Sequence, residues 1–193
     1  MLIFPAVNVV SSANDLVRVG NSGHLTTVMM LANGQTGTWA CGFVWGSVNY
    51  FEDFQVNQRI TFGRYKVTQA EIINFATQYD PQVFHVDEDH PLTEELGGIL
   101  ASGWHSTAIF MRLAVDAYLG KAALLTSPGV DELRWLAPVR AGDTISGEAL
   151  VERARLSVSK PDRGILTTSV RLWNQEDVEV LKMTTHAFVR VRP

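Results

Sequence analysis

Cysteine is almost missing from this chain. Cys41 is the only one in 193 residues, so no disulfide can form within it. A lone thiol suits a reducing compartment, and the cytoplasm is the expected location. Long apolar runs are missing too. No stretch approaches the roughly 18 residues that a spanning helix requires, and the first residues lack the basic start and apolar core of a secretory signal. Neither a membrane partner nor secretion is expected. Clusters of Lys and Arg are absent and the net charge is only −4, which argues against nucleic acid as a partner. No Cys, His and Asp set has zinc-ligand spacing, so no metal is expected. What is present is 46% apolar residues, enough for a packed domain and too many for global disorder.

Charge is also missing from one part of the chain. Between residues 1 and 50 only Asp15 and Arg18 are formally charged. The other 34 of the 36 Lys, Arg, Asp and Glu (16 plus 20, minus 2) lie in residues 51–193. The early stretch is rich in Gly, Ser, Asn and Thr and shows neither helical nor strand periodicity. Residues 1–50 are expected to be a low-charge extension outside the core, poorly ordered or loosely docked. A mis-assigned translation start is the alternative. Residues 51–193 are expected to form one domain.

From Tyr50 onward local signals are clear. "RITFGRYKV" (59–67) reads as a strand with a bulge at Gly63. Thr68 followed three residues later by Glu71 is a capping box, with Val67 and Ile72 at the staple positions. Ile72, Phe75, Ala76 and Tyr79 recur at helical spacing and predict one buried face. Pro81 disfavours helical angles at Asp80, so this helix must stop by Tyr79. A second helix is predicted over 101–120, with Ser102 as N-cap and Gly120 as stop. It is apolar nearly all round, as expected of a helix buried under a sheet. A polar row of Ser102, His105, Arg112 and Asp116 interrupts it. Four alternating stretches follow: 130–138, 143–158 with a phase slip near Val151 and Glu152, 164–174, and 178–191. They predict a long antiparallel meander. Strands following helices indicate an α+β domain, in which one sheet wraps one apolar helix.

Three stretches narrow the reading further. "DPQVFHVDE" places Asp80 and His85 at a fixed helix end, "GGILASGWHS" leads into the long helix, and "LAPVRAGDT" joins two strands. Together they resemble the MaoC-like acyl dehydratases, which include the (R)-specific enoyl-CoA hydratases. The resemblance runs from about Phe51 to Arg192. It implies the hot-dog fold, a curved antiparallel sheet around a long central helix. It also implies that Asp80 and His85 match the acid and histidine of the D-x-N-P-x-H motif, and that the Gly103 amide is the oxyanion donor. Gln82 replaces the usual Asn and Val83 the usual Pro, and Met111 stands near a position where some relatives carry Ser.

The chemistry implied is reversible hydration of an enoyl thioester. Water must reach the β-carbon and a proton the α-carbon, so two proton-carrying groups must share one small volume. Carboxylate and imidazole suit this, since histidine titrates near neutrality. A helix N-terminal amide suits the enolate oxygen. Asp80, His85 and Gly103 are the catalytic candidates; Gln82, Ser102 and Trp104 are the candidates for substrate contact. Trp104 reads equally as core. His105 lines the site or is a satisfied helix histidine, His186 reads as structural, and Asp87, Glu88 and Asp89 as a solvated face. Lys160 and Arg163 read as a surface turn, with CoA phosphates as the alternative. No cofactor beyond a CoA thioester substrate is expected, and a homodimer would cover open sheet edges. Two other functions fit the fold: a thioesterase, for which Asp116 is the only acid on the long helix, and a non-catalytic acyl-thioester-binding subunit.

Overall fold

In the computed structural model, residues 48–193 are described; the expected extension over 1–50 lies almost wholly outside them. The chain enters the domain by pairing. Asn49 bridges Ala122 in parallel, and the short 3-10 turn Phe51–Asp53 follows. Arg192 closes this end, stacking over the Tyr50 ring at 4.9 Å and forming an ion pair with Asp53 at 2.7 Å.

The predicted 59–67 strand is two short strands, β1 (Arg59–Thr61) and β2 (Tyr65–Lys66). Both pair with β4 (Thr144–Leu156), with a break of register around Gly63. Helix α1 (Gln69–Tyr79) begins at Thr68, whose hydroxyl accepts the Glu71 N–H, and ends where Pro81 requires. The expected burial of Tyr79 is wrong: it is 70% exposed, because the helix ends there and the ring stacks back on Phe75 at 5.1 Å. Ile72 and Ala76 are the buried anchors.

Two short helices occupy what reads in the sequence as loop, α2 (Val83–Val86) and α3 (Pro91–Glu95). His90, expected to be a plain loop residue, caps α3: its Nδ1 accepts the Leu92 N–H at 3.2 Å. The central helix α4 (Gly103–Ala117) starts at Ser102 as anticipated and stops three residues before Gly120.

The remaining strands are β3 (Leu124–Trp135), β5 (Arg163–Trp173) and β6 (Glu179–Arg190). The sheet runs β1-β4-β5-β6-β3, all antiparallel. The meander therefore has three strands, not four. β3 pairs with β6 instead of β4, so the 136–143 connection crosses from the edge strand β3 over β6 and β5 to β4. The slip anticipated at Val151 and Glu152 is a register shift between Val151 and Arg153. Inward residues Ile145, Ala149, Leu166, Val170, Leu172, Leu181, Met183 and Val189 form one cluster with Ile109, Phe110, Leu113 and Ala114 of α4. One sheet covers only one side of a helix. On the other side Trp104, Met111 and Val115 are 58%, 50% and 42% exposed, so α4 is not buried all round in the single chain.

Candidate active site

The site is a corner where α1 ends, α2 turns and α4 begins. Asp80 is the C-cap of α1, with φ −152° and ψ 65°, and its N–H still bonds Ala76 O at 2.8 Å. Its carboxylate therefore leaves a fixed backbone. Ser102 Oγ donates to Asp80 Oδ2 at 2.6 Å, and Gln82 Nε2 donates to Oδ1 at 2.8 Å. These two bonds, Ser102 first, hold the Asp80 carboxyl below its ordinary range against a smaller upward push from burial. His85 adds a further downward contribution. The group is an anion at neutral pH.

His85 lies on α2 and is buried. Its Nδ1 is 2.7 Å from Leu100 O. A carbonyl can only accept, so Nδ1 carries a proton and Nε2 is the ring nitrogen left facing Asp80. That Nε2 stands 3.4 Å from Asp80 Oδ2. The Asp80 carboxylate and the His85 Nε2 thus face one small volume at a separation longer than an ordinary N–H···O bond. The Asp80 side chain keeps 21% exposure and His85 7%, so the volume opens on the carboxylate side.

Gly103 is the first residue of α4, one residue beyond the hydroxyl that holds Asp80. Ser102 Oγ also accepts the Trp104 N–H at 3.2 Å. The Gly103 N–H has no acceptor among the described residues. It sits at the positive end of a 15-residue helix. A Cβ built on Gly103 would run into the Trp135 ring, so only glycine fits there with Trp135 in place. Trp135 donates from Nε1 to Thr107 Oγ1 at 3.2 Å and meets Trp104 edge-on at 5.3 Å. Both indoles are about half exposed beside the helix start.

The candidate residues therefore come together, though not all in the expected way. The amide of Gln82 and the hydroxyl of Ser102 are both engaged with Asp80. Trp104 is at the surface by the helix start, outside the core. Leu100 O and Trp135 belong to the corner and were not anticipated; a main-chain carbonyl leaves no mark in a sequence, and a tryptophan 32 positions from Gly103 meets it only through the fold.

Other candidates fall elsewhere. His105, one turn along α4, is buried and stacks on Phe75 at 4.8 Å. Its Nε2 is 3.7 Å from Glu71 Oε1, and its Nδ1 and that Glu71 oxygen have no hydrogen-bond partner among the described residues. Burial pushes the His105 pKa down, with Glu71 pulling more weakly upward. His186 bonds Asp131 at 2.8 Å and Thr167 at 3.2 Å, a link between strands. Arg163 grips Asp162 with two bonds at the surface turn. A cleft of about 500 Å³ is lined by Gln69, Glu88, Asp89, Glu94 and Gly97 to Ile99, and includes none of the corner residues. Its three carboxylates have the wrong sign for a phosphorylated ligand. Among the described residues no group of three His, Cys, Asp or Glu is arranged to hold a metal, and no helix is long and apolar enough to cross a membrane.

A family model for the MaoC like domain matches residues 53–173, more than half of the chain. The chain belongs to the MaoC-like family. The MaoC-like dehydratase from Rhodospirillum rubrum is 39% identical to it, with a TM-score of 0.68 over 75% of this chain and 99% of that one. YdeM of Bacillus subtilis, an uncharacterised protein, is 27% identical over 131 residues, which is 68% of this chain and 92% of YdeM. The (R)-hydratase PhaJ1 from Pseudomonas aeruginosa superposes with a TM-score of 0.59 at 19% identity, over 74% of this chain and 86% of that one. That likeness carries the fold alone. The fold is the hot-dog fold, an antiparallel sheet around a central helix.

Proposed function

We propose that this MaoC-like protein is a hydratase or dehydratase that adds water reversibly across the α,β double bond of an enoyl-CoA. The observation that carries the reading is the placing of Asp80 Oδ2 and His85 Nε2, 3.4 Å apart, beside a helix start whose Gly103 N–H has no acceptor among the described residues. A water held between Asp80 and His85 gives up a proton to one member of the pair as its oxygen bonds the β-carbon, and the pair then delivers a proton to the α-carbon as the enolate collapses to the 3-hydroxyacyl thioester. The thioester oxygen, resting on the Gly103 amide and the α4 dipole, takes the enolate charge without reorganisation. Ser102 and Gln82 keep the carboxylate ionised and aimed. Trp104 flanks the acyl group. Water and the thioester are the only reactants, so no cofactor enters the scheme.

The test is to mix the protein with a short-chain enoyl-CoA, follow loss of the conjugated thioester absorbance, and determine the configuration of the 3-hydroxyacyl product. Hydration is expected. Full activity in Asp80→Asn and His85→Ala would sink the residue assignment. Rapid release of free thiol without hydration would favour a thioesterase instead. The carboxylate that reading needs, Asp116, is over half exposed and paired with Arg112 at 2.8 Å.

The reading includes a homodimer in the cytoplasm. Among the described residues β3 is an open edge; its last residue Trp135 and the following Leu136 are exposed, as are Trp104, Met111 and Val115 of α4. A second copy would cover the edge and this apolar face together. Sedimentation equilibrium showing only monomer at micromolar concentration would refute it.

A further inference from the structure

We propose that Arg140 is a positioning residue for His85, acting through the main chain of residues 96–100. The proposal rests on the acid/base reading of His85 given above. Arg140 is half-buried, and no carboxylate pairs with it among the described residues. Its guanidinium spends its donors on one loop. Nη2 donates to Leu96 O at 2.6 Å, and Nη1 to Gly97 O at 2.9 Å and Gly98 O at 3.3 Å.

That loop is unusual in its backbone. Gly97 and Gly98 have φ of 77° and 107°, where side chains are disfavoured. Two glycines in succession give the chain wide freedom, and three carbonyls facing one way repel each other. A planar cation with several donors removes both problems at once. Lysine would supply the charge as a point, without the fork.

The loop leads directly to the histidine. Leu100 pairs with Arg140 in an antiparallel bridge, and Ala101 N–H bonds Val139 O at 2.8 Å. Leu100 then clamps α2 at two points. Its N–H donates to Phe84 O at 3.1 Å, and its carbonyl accepts His85 Nδ1–H at 2.7 Å. Two residues further on, Ser102 holds Asp80. Arg140 therefore fixes the approach of the carbonyl that selects the His85 tautomer, while the Val139 carbonyl holds the next residue, Ala101. Its side chain reaches none of the reacting groups. Removing it leaves the backbone bridge intact and frees only the 96–98 loop.

The experiment uses the full chain with ¹⁵N-labelled histidine, observed above the histidine titration range by long-range ¹H–¹⁵N correlation. His85→Ala supplies the assignment. The wild-type signal should be that of a ring protonated at Nδ1. In Arg140→Ala it should move toward a mixture with the Nε2-protonated ring, and in Arg140→Lys part of the way. Hydration by Arg140→Ala should fall about tenfold to a hundredfold in kcat with a smaller change in KM, the size expected of a displacement near 1 Å. In a His85→Ala background the same change should cost nothing further. An unchanged His85 signal in Arg140→Ala overturns the proposal, as does an equal loss in the His85→Ala background. Should the alanine variant not fold, an Arg140→Lys protein with the wild-type signal overturns it equally. The tautomer signal needs no turnover, so a wild-type protein that hydrates no thioester would refute the proposed function without touching this result.

Discussion

Helix α1 carries a carboxylate near each end, and each faces a histidine. At the C-terminal end Asp80 meets His85 at 3.4 Å; in the first turn Glu71 meets His105 at 3.7 Å. The distances are nearly the same, but the surroundings are not. Asp80 accepts from Ser102 and Gln82, and His85 is fixed at Nδ1 by Leu100 O. Glu71 bonds Thr68 with one oxygen, and among the described residues its other oxygen and the His105 Nδ1, beside the Phe75 ring, have no hydrogen-bond partner. Both histidines are buried and both carboxylates are partly exposed, Asp80 at 21% and Glu71 at 28%, but only the Asp80 carboxylate is bonded to the residue that caps α4. An acid and an imidazole in proximity do not make a site. The second contacts hold the carboxylate and fix one ring nitrogen of the imidazole, and they are what distinguishes the two pairs.

The sharpest way to break the comparison is to remove one group from each pair. Asp80→Asn or His85→Ala should lower hydration about 10²–10⁴-fold, whereas Glu71→Gln or His105→Phe should leave kcat within about tenfold, inside the lower bound for an acid/base group. Equal losses would erase the distinction. Gly103→Ala comes next. Its methyl displaces Trp135 and disturbs the amide, and a loss of up to about 10²-fold, the lower end for one oxyanion donor, is expected in kcat while Asp80 still titrates as before.

Ser102→Ala tests the second contacts directly. Loss of the N-cap should cost about 1 kcal/mol in denaturant unfolding. The Asp80 carboxyl should also rise toward its ordinary value. In the wild type its folded pKa is depressed, so the stabilisation is present above the unfolded value and is lost as pH falls through the lower folded value. The acid limb of the rate profile should therefore move to higher pH in Ser102→Ala; an unmoved limb would deny that hydroxyl its role.

The smallest effect belongs to His105. Burial depresses its pKa, so between the folded and unfolded values the unfolded chain binds more protons. Stability should drop as pH falls below the ordinary histidine value, and His105→Phe, which keeps the stack on Phe75, should flatten that slope in thermal melts. A slope unchanged by the substitution would assign it to another group.

Much of this corner is legible in the chain. The Thr68 and Ser102 caps, the stop at Pro81 and the spacing of Asp80 and His85 are properties of neighbours within a turn or two, where local sterics and hydrogen bonds decide. Strand alternation in 143–158 and 164–174 is equally local, down to the slip at Val151. The errors have a common source. Tyr79 fits a helical face but lies on the last turn, where nothing packs over it. Strand β3 alternates like its neighbours, and alternation does not name a partner. His90 caps a helix whose five residues leave no periodicity to find.

The sequence by itself determined which residues could carry acid/base chemistry and where the two long helices, α1 and α4, begin. It did so because capping and Pro sterics act over a few bonds. Only the tertiary structure decided that Ser102, 22 residues on, donates to Asp80, and that Leu100, 15 residues on, sets the His85 tautomer. It alone also decided that Trp135 lies against Gly103 and that Arg140 spans 44 residues to Leu96. Those contacts form when the sheet closes around α4, and many strand orders satisfy the same local pattern. The burial of one apolar face against one helix selects among them.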